Sequence, residues 1–360
     1  MLNAYIPIFQ FNFYSVFIWA VILYNLPLKK QDKSIIYLSI IFIQFTLLAW
    51  QKDFSVGQDT LMYCRGFDYI SSESFKDILL DKWEPGYVIS NWIIGNLGFD
   101  FHTYLLIVSG FIYYSVCRFI FRYSQYPWLS VAIFVAFGYY FGSLHILRQY
   151  IAIAIILYSY DCILNRKFVS YLALVLLAAS FHTSAIVFLP TYFLYGKSIR
   201  PTMMVVLFSL CLAMALIAGD VLLNLFVMND RYQDAYVSDK DGAGSGYGML
   251  LFMTLIFSCA LLLKPKYLNK QESIFYWIFF ISLCMQPLSI TVSMVARAIL
   301  YWSLSLLVLL PMIIHNIKNK NLRFISFIIV LSGLIFVFEF VTNANEGIET
   351  YATYEFYTPA

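Results

Sequence analysis

Three ionisable residues stand where long apolar runs end: Arg148, His182 and Arg297. A charge in such a place is costly unless partnered, which makes it a functional candidate by default. A guanidinium keeps its charge at any working pH and meets phosphate oxygens with a fork of donors, so Arg148 and Arg297, joined by Arg231 and Arg65, suit the gripping of a lipid diphosphate. The plain alternative is that each arginine only snorkels its head to the membrane interface. His182, within Phe181-His182-Thr183, carries an imidazole suited to taking a proton from a hydroxyl, although a lone histidine at a helix junction can equally be just hydrogen-bonded. Asp59 and Glu84 offer carboxylates for the same task or for holding hydroxyl groups. His145 and His102 are weaker rivals, and the four histidines show none of the close pairings that build a metal site, so no metal is expected.

The elements that must position these groups are membrane helices. The chain is 61% hydrophobic and 12% charged, with 34 Phe and 29 Tyr in 360 residues, a balance no soluble domain has. Apolar stretches cover Tyr5 to Leu26, Ser34 to Trp50, Thr103 to Phe121, Trp128 to Ile146, Gln149 to Leu164, Phe168 to Ser180, Thr183 to Tyr195, Thr202 to Ala218, Gly248 to Leu263, Ser273 to Ser293, Ala298 to Ile314 and Phe324 to Val341. They predict an all-α polytopic integral membrane protein of about 12 transmembrane helices, two of them short. The run from Tyr87 to Leu97 fits poorly as a crossing and reads as a re-entrant or interfacial segment near residues 86–98, with a short tilted crossing as the alternative. The first helix is expected to be retained, since no cleavable signal peptide is evident. The six cysteines, without a CxxC pair, imply no disulfide framework.

Lysine and arginine cluster at Lys29, Lys30 and Lys33, at Arg118 and Arg122, at Arg166 and Lys167, at Lys197 and Arg200, at Lys264, Lys266 and Lys270, and at Lys318, Lys320 and Arg323. These alternate loops are cytoplasmic by the positive-inside rule. Arg148, His182 and Arg297 then share the opposite side, with two larger external loops, 51–103 and 219–247, and the whole of 1–360 reads as one membrane domain. The first loop interleaves Asp59, Tyr63, Arg65, Asp68, Trp83, Glu84 and Tyr87. Carboxylates accept from hydroxyls and aromatic faces pack on sugar rings, so Tyr63 and Tyr87, with Gln149 and Tyr232, are candidate sugar contacts. An ordinary aromatic interfacial loop has the same composition. The glycine-rich stretch from Gly242 to Gly248 lacks the ending of a phosphate-binding loop and reads as a hinge or lid.

The ordered motifs Gly57-Gln58-Asp59-x-x-x-Tyr63, Trp83-Glu84-Pro85-Gly86-Tyr87, Arg148-Gln149-Tyr150-x-Ala152, Phe181-His182-Thr183-Ser184-Ala185 and Arg231-Tyr232 resemble the EpsG-type family of polysaccharide-assembly membrane proteins, which includes O-antigen polymerases of the Wzy class. Gln58 departs from the small or hydroxyl residue often found there, and the aromatic tail from Tyr351 to Ala360 resembles endings seen in the family. The resemblance implies a GT-C-like glycosyltransferase on the periplasmic face of a bacterial inner membrane. Its donor would be a glycan on undecaprenyl diphosphate and its acceptor a lipid-linked repeat unit, with a chain-length regulator as a further partner and no nucleic acid. It implies no cofactor, because a lipid diphosphate is already an activated leaving group. Arg148 and Arg297, supported by Arg231 and Arg65, would hold the diphosphate, with His182, Asp59 and Glu84 as base or acceptor-positioning groups. A lipid-linked oligosaccharide flippase would need charges deep in a cavity and paired repeats, and a membrane acyltransferase a route to a cytoplasmic acyl donor. Neither feature is visible.

Overall fold

The computed structural model describes residues 8–57, 59–78, 80, 82–227, 245–265, 268–344 and 354–358. Every apolar run is helical: α1 Ile8–Tyr24, α2 Lys30–Trp50, then the loop helices α3 Thr60–Ser72, α4 Phe75–Ile78 and α5 Pro85–Asn96, followed by α6 Phe101–Tyr123, α7 Pro127–Ala136, α8 Tyr139–His145, α9 Leu147–Leu164 and α10 Phe168–Phe181. A 3-10 helix, Thr183–Leu194, leads to α11 Pro201–Val227, α12 Ser245–Leu262, α13 Lys270–Thr291, α14 Ser293–Ser303, α15 Leu306–Asn316 and α16 Lys320–Ala344. Five helices are long and apolar enough to cross a membrane, or up to seven if the bent pairs α7–α8 and α14–α15 each make one span, and five shorter apolar helices accompany them. Among the described residues there is no strand. The chain is a multi-pass membrane protein, and its exposed Val21, Val169, Ile217, Leu262 and Phe336 are side chains a bilayer would cover.

The chain divides into two compact units, Met1–Ile186 with Asn319–Ala360, and Val187–Lys318. In the first, α6 and α9 pack together, with α2 on α6 and α10 on α9. Near their last turns Arg118 of α6 meets Asp161 of α9, so the two helices run in the same direction. The short α5 packs on α3, α6 and α10. In the second unit α13 is the hub for α11, α12, α14 and α15. Its α13 starts with a capping box between Asn269 and Glu272, and Trp302 donates its indole N–H to Thr191 Oγ1 at 2.9 Å.

Residues 354–358 lie antiparallel along the segment after α2, where Asp53 N donates to the Glu355 carbonyl and Tyr357 N to the Gln51 carbonyl, both at 2.8 Å. Tyr357 also stacks on His102 at 4.2 Å between ring centroids. That contact makes His102 part of a packed aromatic edge.

Candidate functional site

The motif Trp83-Glu84-Pro85-Gly86-Tyr87 starts α5, and each residue has a separate task. Pro85 opens the helix, where its missing N–H is no loss. Gly86 lets α5 approach α10: a Cβ there would lie 2.8 Å from the Ser180 carbonyl oxygen. The Trp83 ring occupies the space beside Gly66 that any side chain on α3 would fill. Glu84 stands at the N-cap, where a carboxylate ordinarily accepts from the first amides of its own helix. It makes no such bond. Its side chain crosses to two other helices instead.

One carboxylate oxygen, Oε2, pairs with the Arg148 guanidinium at the start of α9. The other, Oε1, accepts from the backbone N–H and the hydroxyl of Thr183, both at 3.3 Å, and lies 3.6 Å from His182 Nδ1. The chain presents these partners because two helices break here. Helix α10 ends as His182 turns to extended backbone (φ −155°, ψ 110°), and α9 begins after Ile146 leaves helical geometry (φ −95°, ψ 62°). Burial opposes ionisation of Glu84, but the His182 imidazole, the charge on Arg148 and the Thr183 N–H together outweigh it and bring the carboxyl down to about 2. The carboxylate is therefore charged at neutral pH.

Three rings stand around the guanidinium, Trp83 at 5.5 Å, Tyr87 at 5.7 Å and Tyr63 at 5.9 Å to the centroids, all within cation–π range. Tyr63 and Tyr87 are buried, so the structure gives these two expected sugar contacts to Arg148 as a lining. Trp83 is only half-buried and retains surface for a ligand. Gln149 is buried as well.

A lysine absent from the sequence-derived candidates supports the site from behind. Lys52 is 2% exposed, and its Nζ donates to Thr60 Oγ1 and the Leu144 carbonyl at 2.6 Å and to the Val56 carbonyl at 3.1 Å. Burial pushes its ammonium down to about 7, partly offset by Asp59. Gly57, at φ +98°, permits this closure: a Cβ would sit 2.9 Å from the Leu144 carbonyl and 3.1 Å from His145 Nδ1. The staple thus fixes the end of α8 just before the break that aims Arg148. In the sequence Lys52 is one of three lysines in the acid-rich loop 51–103, and nothing there sets it apart from Lys76 and Lys82.

The structure therefore brings together Glu84, Arg148, His182, Tyr63 and Tyr87, and adds Thr183, Trp83 and Lys52. Asp59 precedes α3 on the Lys52 side of the loop. Arg65 lies on the exposed face of α3, two positions from Tyr63 and so about 200° around the helix. Arg297 is exposed on α14 in the second unit. Arg231 and Tyr232, like Gln58, lie outside the described residues.

Four of the five motifs whose order pointed to a family contribute residues here, and that family's model matches residues 35–356. The chain belongs to the EpsG family. The match begins in α2 and ends in the tail that pairs with the loop after it, so the EpsG region takes in every residue of this cluster. No curated protein and no solved structure matches the chain.

Proposed function

We propose that this EpsG-family protein is a polysaccharide polymerase of the Wzy class, moving a glycan from undecaprenyl diphosphate to a lipid-linked repeat unit on the periplasmic face of a bacterial inner membrane. The observation that carries the reading is the Glu84–Arg148–His182–Thr183 cluster, a cation, an anion and an imidazole gathered at a double helix break. Arg148 lies 13 residues before Asp161 on α9, so these groups are about 20 Å apart along the axis, less than the roughly 30 Å of a hydrocarbon core. Charges so close together suit a site sunk below one membrane surface and lined by protein or water, where a lipid-borne substrate meets it. A GT-C-like fold with all twelve apolar helices crossing agrees with this depth.

In the reaction the acceptor hydroxyl oxygen bonds to the donor's anomeric carbon while the bond from that carbon to the diphosphate oxygen breaks. The electron pair leaves with the diphosphate, and the hydroxyl proton passes to a base. Arg148 holds the leaving diphosphate. His182 takes the proton, Glu84 orients it and Asp59 holds the acceptor. Trp83 offers its exposed face to a sugar ring. No step requires a nucleotide or a metal ion, and a chain-length regulator is the expected protein partner. Purified protein supplied with a lipid-diphosphate repeat unit and no nucleotide should produce a ladder of lengthened products. Movement of the lipid across the bilayer without lengthening would overturn the reading in favour of a flippase.

A further inference from the structure

Two buried side-chain nitrogens in this cluster lack a hydrogen-bond partner. Arg148 reaches Glu84 through a terminal nitrogen, while its Nε is buried with no hydrogen-bond partner. His182 Nδ1 is buried in the same condition, its 3.6 Å from Glu84 too long for a hydrogen bond. Buried polar atoms are nearly always satisfied, so these two nitrogens beside one carboxylate leave room for acceptor oxygens that Glu84 does not supply. A diphosphate ester brings several oxygens and greater negative charge, in a geometry that a guanidinium meets bidentately.

Resting on the polymerase reading above, we infer that Glu84 occupies the place of the donor's diphosphate in the resting protein, and that the incoming anion takes Arg148 and releases the carboxylate to His182. The two oxygens of Glu84 already face different partners. Oε2 meets Arg148, whereas Oε1 is held by Thr183 on the His182 side. Losing Arg148 lets the carboxylate pivot about Thr183 and close the gap to Nδ1. The resulting hydrogen bond fixes Nδ1–H and leaves Nε2 to accept the proton of the acceptor hydroxyl, the arrangement a carboxylate imposes on a catalytic imidazole. Glu84 is a positioning residue on this account, and the base is assembled only once the leaving group is in place.

The test uses the purified full chain and farnesyl diphosphate as probe, with farnesyl monophosphate for comparison. Glu84→Gln removes the competing charge, so the diphosphate should bind about tenfold more tightly, the worth of one charge-assisted hydrogen bond no longer displaced. The gain should be smaller for the monophosphate. In turnover of the lipid-linked repeat unit the same variant should lower both KM for the donor and kcat. Glu84→Asp, whose carboxylate is withdrawn by one methylene, should move binding in the same direction and serves if the glutamine variant fails to fold. Unchanged or weaker binding in both variants, with binding lost in Arg148→Ala, would overturn the exchange and leave Arg148 as the diphosphate holder. Wild-type binding in Arg148→Ala would overturn the exchange and the proposed function together.

Discussion

Helix α9 carries an arginine–carboxylate cluster at each end, and the two are built differently. At its end, Asp161 accepts from Arg118 Nη2 at 2.5 Å, pairs with Arg122 Nε at 2.7 Å and also meets the Tyr123 hydroxyl. Two cations thus share one anion, Arg122 is about half exposed, and no side-chain atom of that group is buried without a partner. At its start, one arginine faces one carboxylate inside a cage of three rings, with two buried nitrogens lacking a hydrogen-bond partner. The first arrangement is complete and fastens α6 to α9. The second leaves Arg148 Nε and His182 Nδ1 buried without a hydrogen-bond partner, which the proposed function reads as room for a ligand. An ion pair in a membrane helix is therefore not by itself a functional signal.

The comparison breaks most sharply at the proposed base. His182→Ala should lower kcat by about 10² to 10⁴ fold while donor binding persists, the range for a positioned acid–base group. If that variant keeps its rate while Asp59→Asn is inactive, the base is the carboxylate and His182 is structural.

Lysine substitution separates the two ends next. Arg148→Lys keeps the charge but loses the fork, and polymerisation should fall by about 10² fold, as for loss of one preorganised donor to a developing anion. Arg122→Lys, at the exposed position of the other cluster, should stay within a few fold of wild type. Equal losses in polymer assays would remove the distinction.

Stability measurements sharpen the picture at smaller scale. Lys52→Met removes the ammonium from the Leu144 and Val56 carbonyls and leaves them to share the Thr60 hydroxyl, at 3.5 Å and 2.8 Å, and should cost about 1 to 3 kcal/mol in thermal unfolding of the solubilised protein. It should also lower polymerisation, because the break that aims Arg148 loosens. Unchanged stability would mean the staple is dispensable. Glu84 adds an effect that depends on pH. Its folded carboxyl lies near 2 against an ordinary 4.5, so its contribution is fully present above pH 4.5 and is lost as pH falls towards 2. Glu84→Gln should flatten that part of the acid decline in melting temperature, and an unchanged decline would refute the shift.

Much of this was legible in the chain. Apolar runs marked the helices because a bilayer demands continuous apolar length; Arg148, His182 and Arg297 were visible as costly polar groups at run ends, and Glu84 as a carboxylate in the aromatic external loop. The short run after Pro85 formed a 12-residue helix, α5, whose neighbours α3, α6 and α10 could not be read from its length. Which groups touch was hidden, since Glu84 and Arg148 meet across 64 positions and Lys52 and Leu144 across 92. The fate of Tyr63 was half visible. Its spacing with Phe67 and Ile70 makes one buried stripe on α3, which leaves Arg65 on the other face, and only packing against α5 turned that stripe towards Arg148.

The claim that the start of α9 is the reactive end is tested most directly by running the nucleotide-free ladder assay on Arg148→Ala beside Asp161→Asn, at matched protein levels. The account predicts no ladder from Arg148→Ala and a ladder from Asp161→Asn despite a lower melting temperature. A full ladder from Arg148→Ala, or its loss only in a well-folded Asp161→Asn, would contradict it.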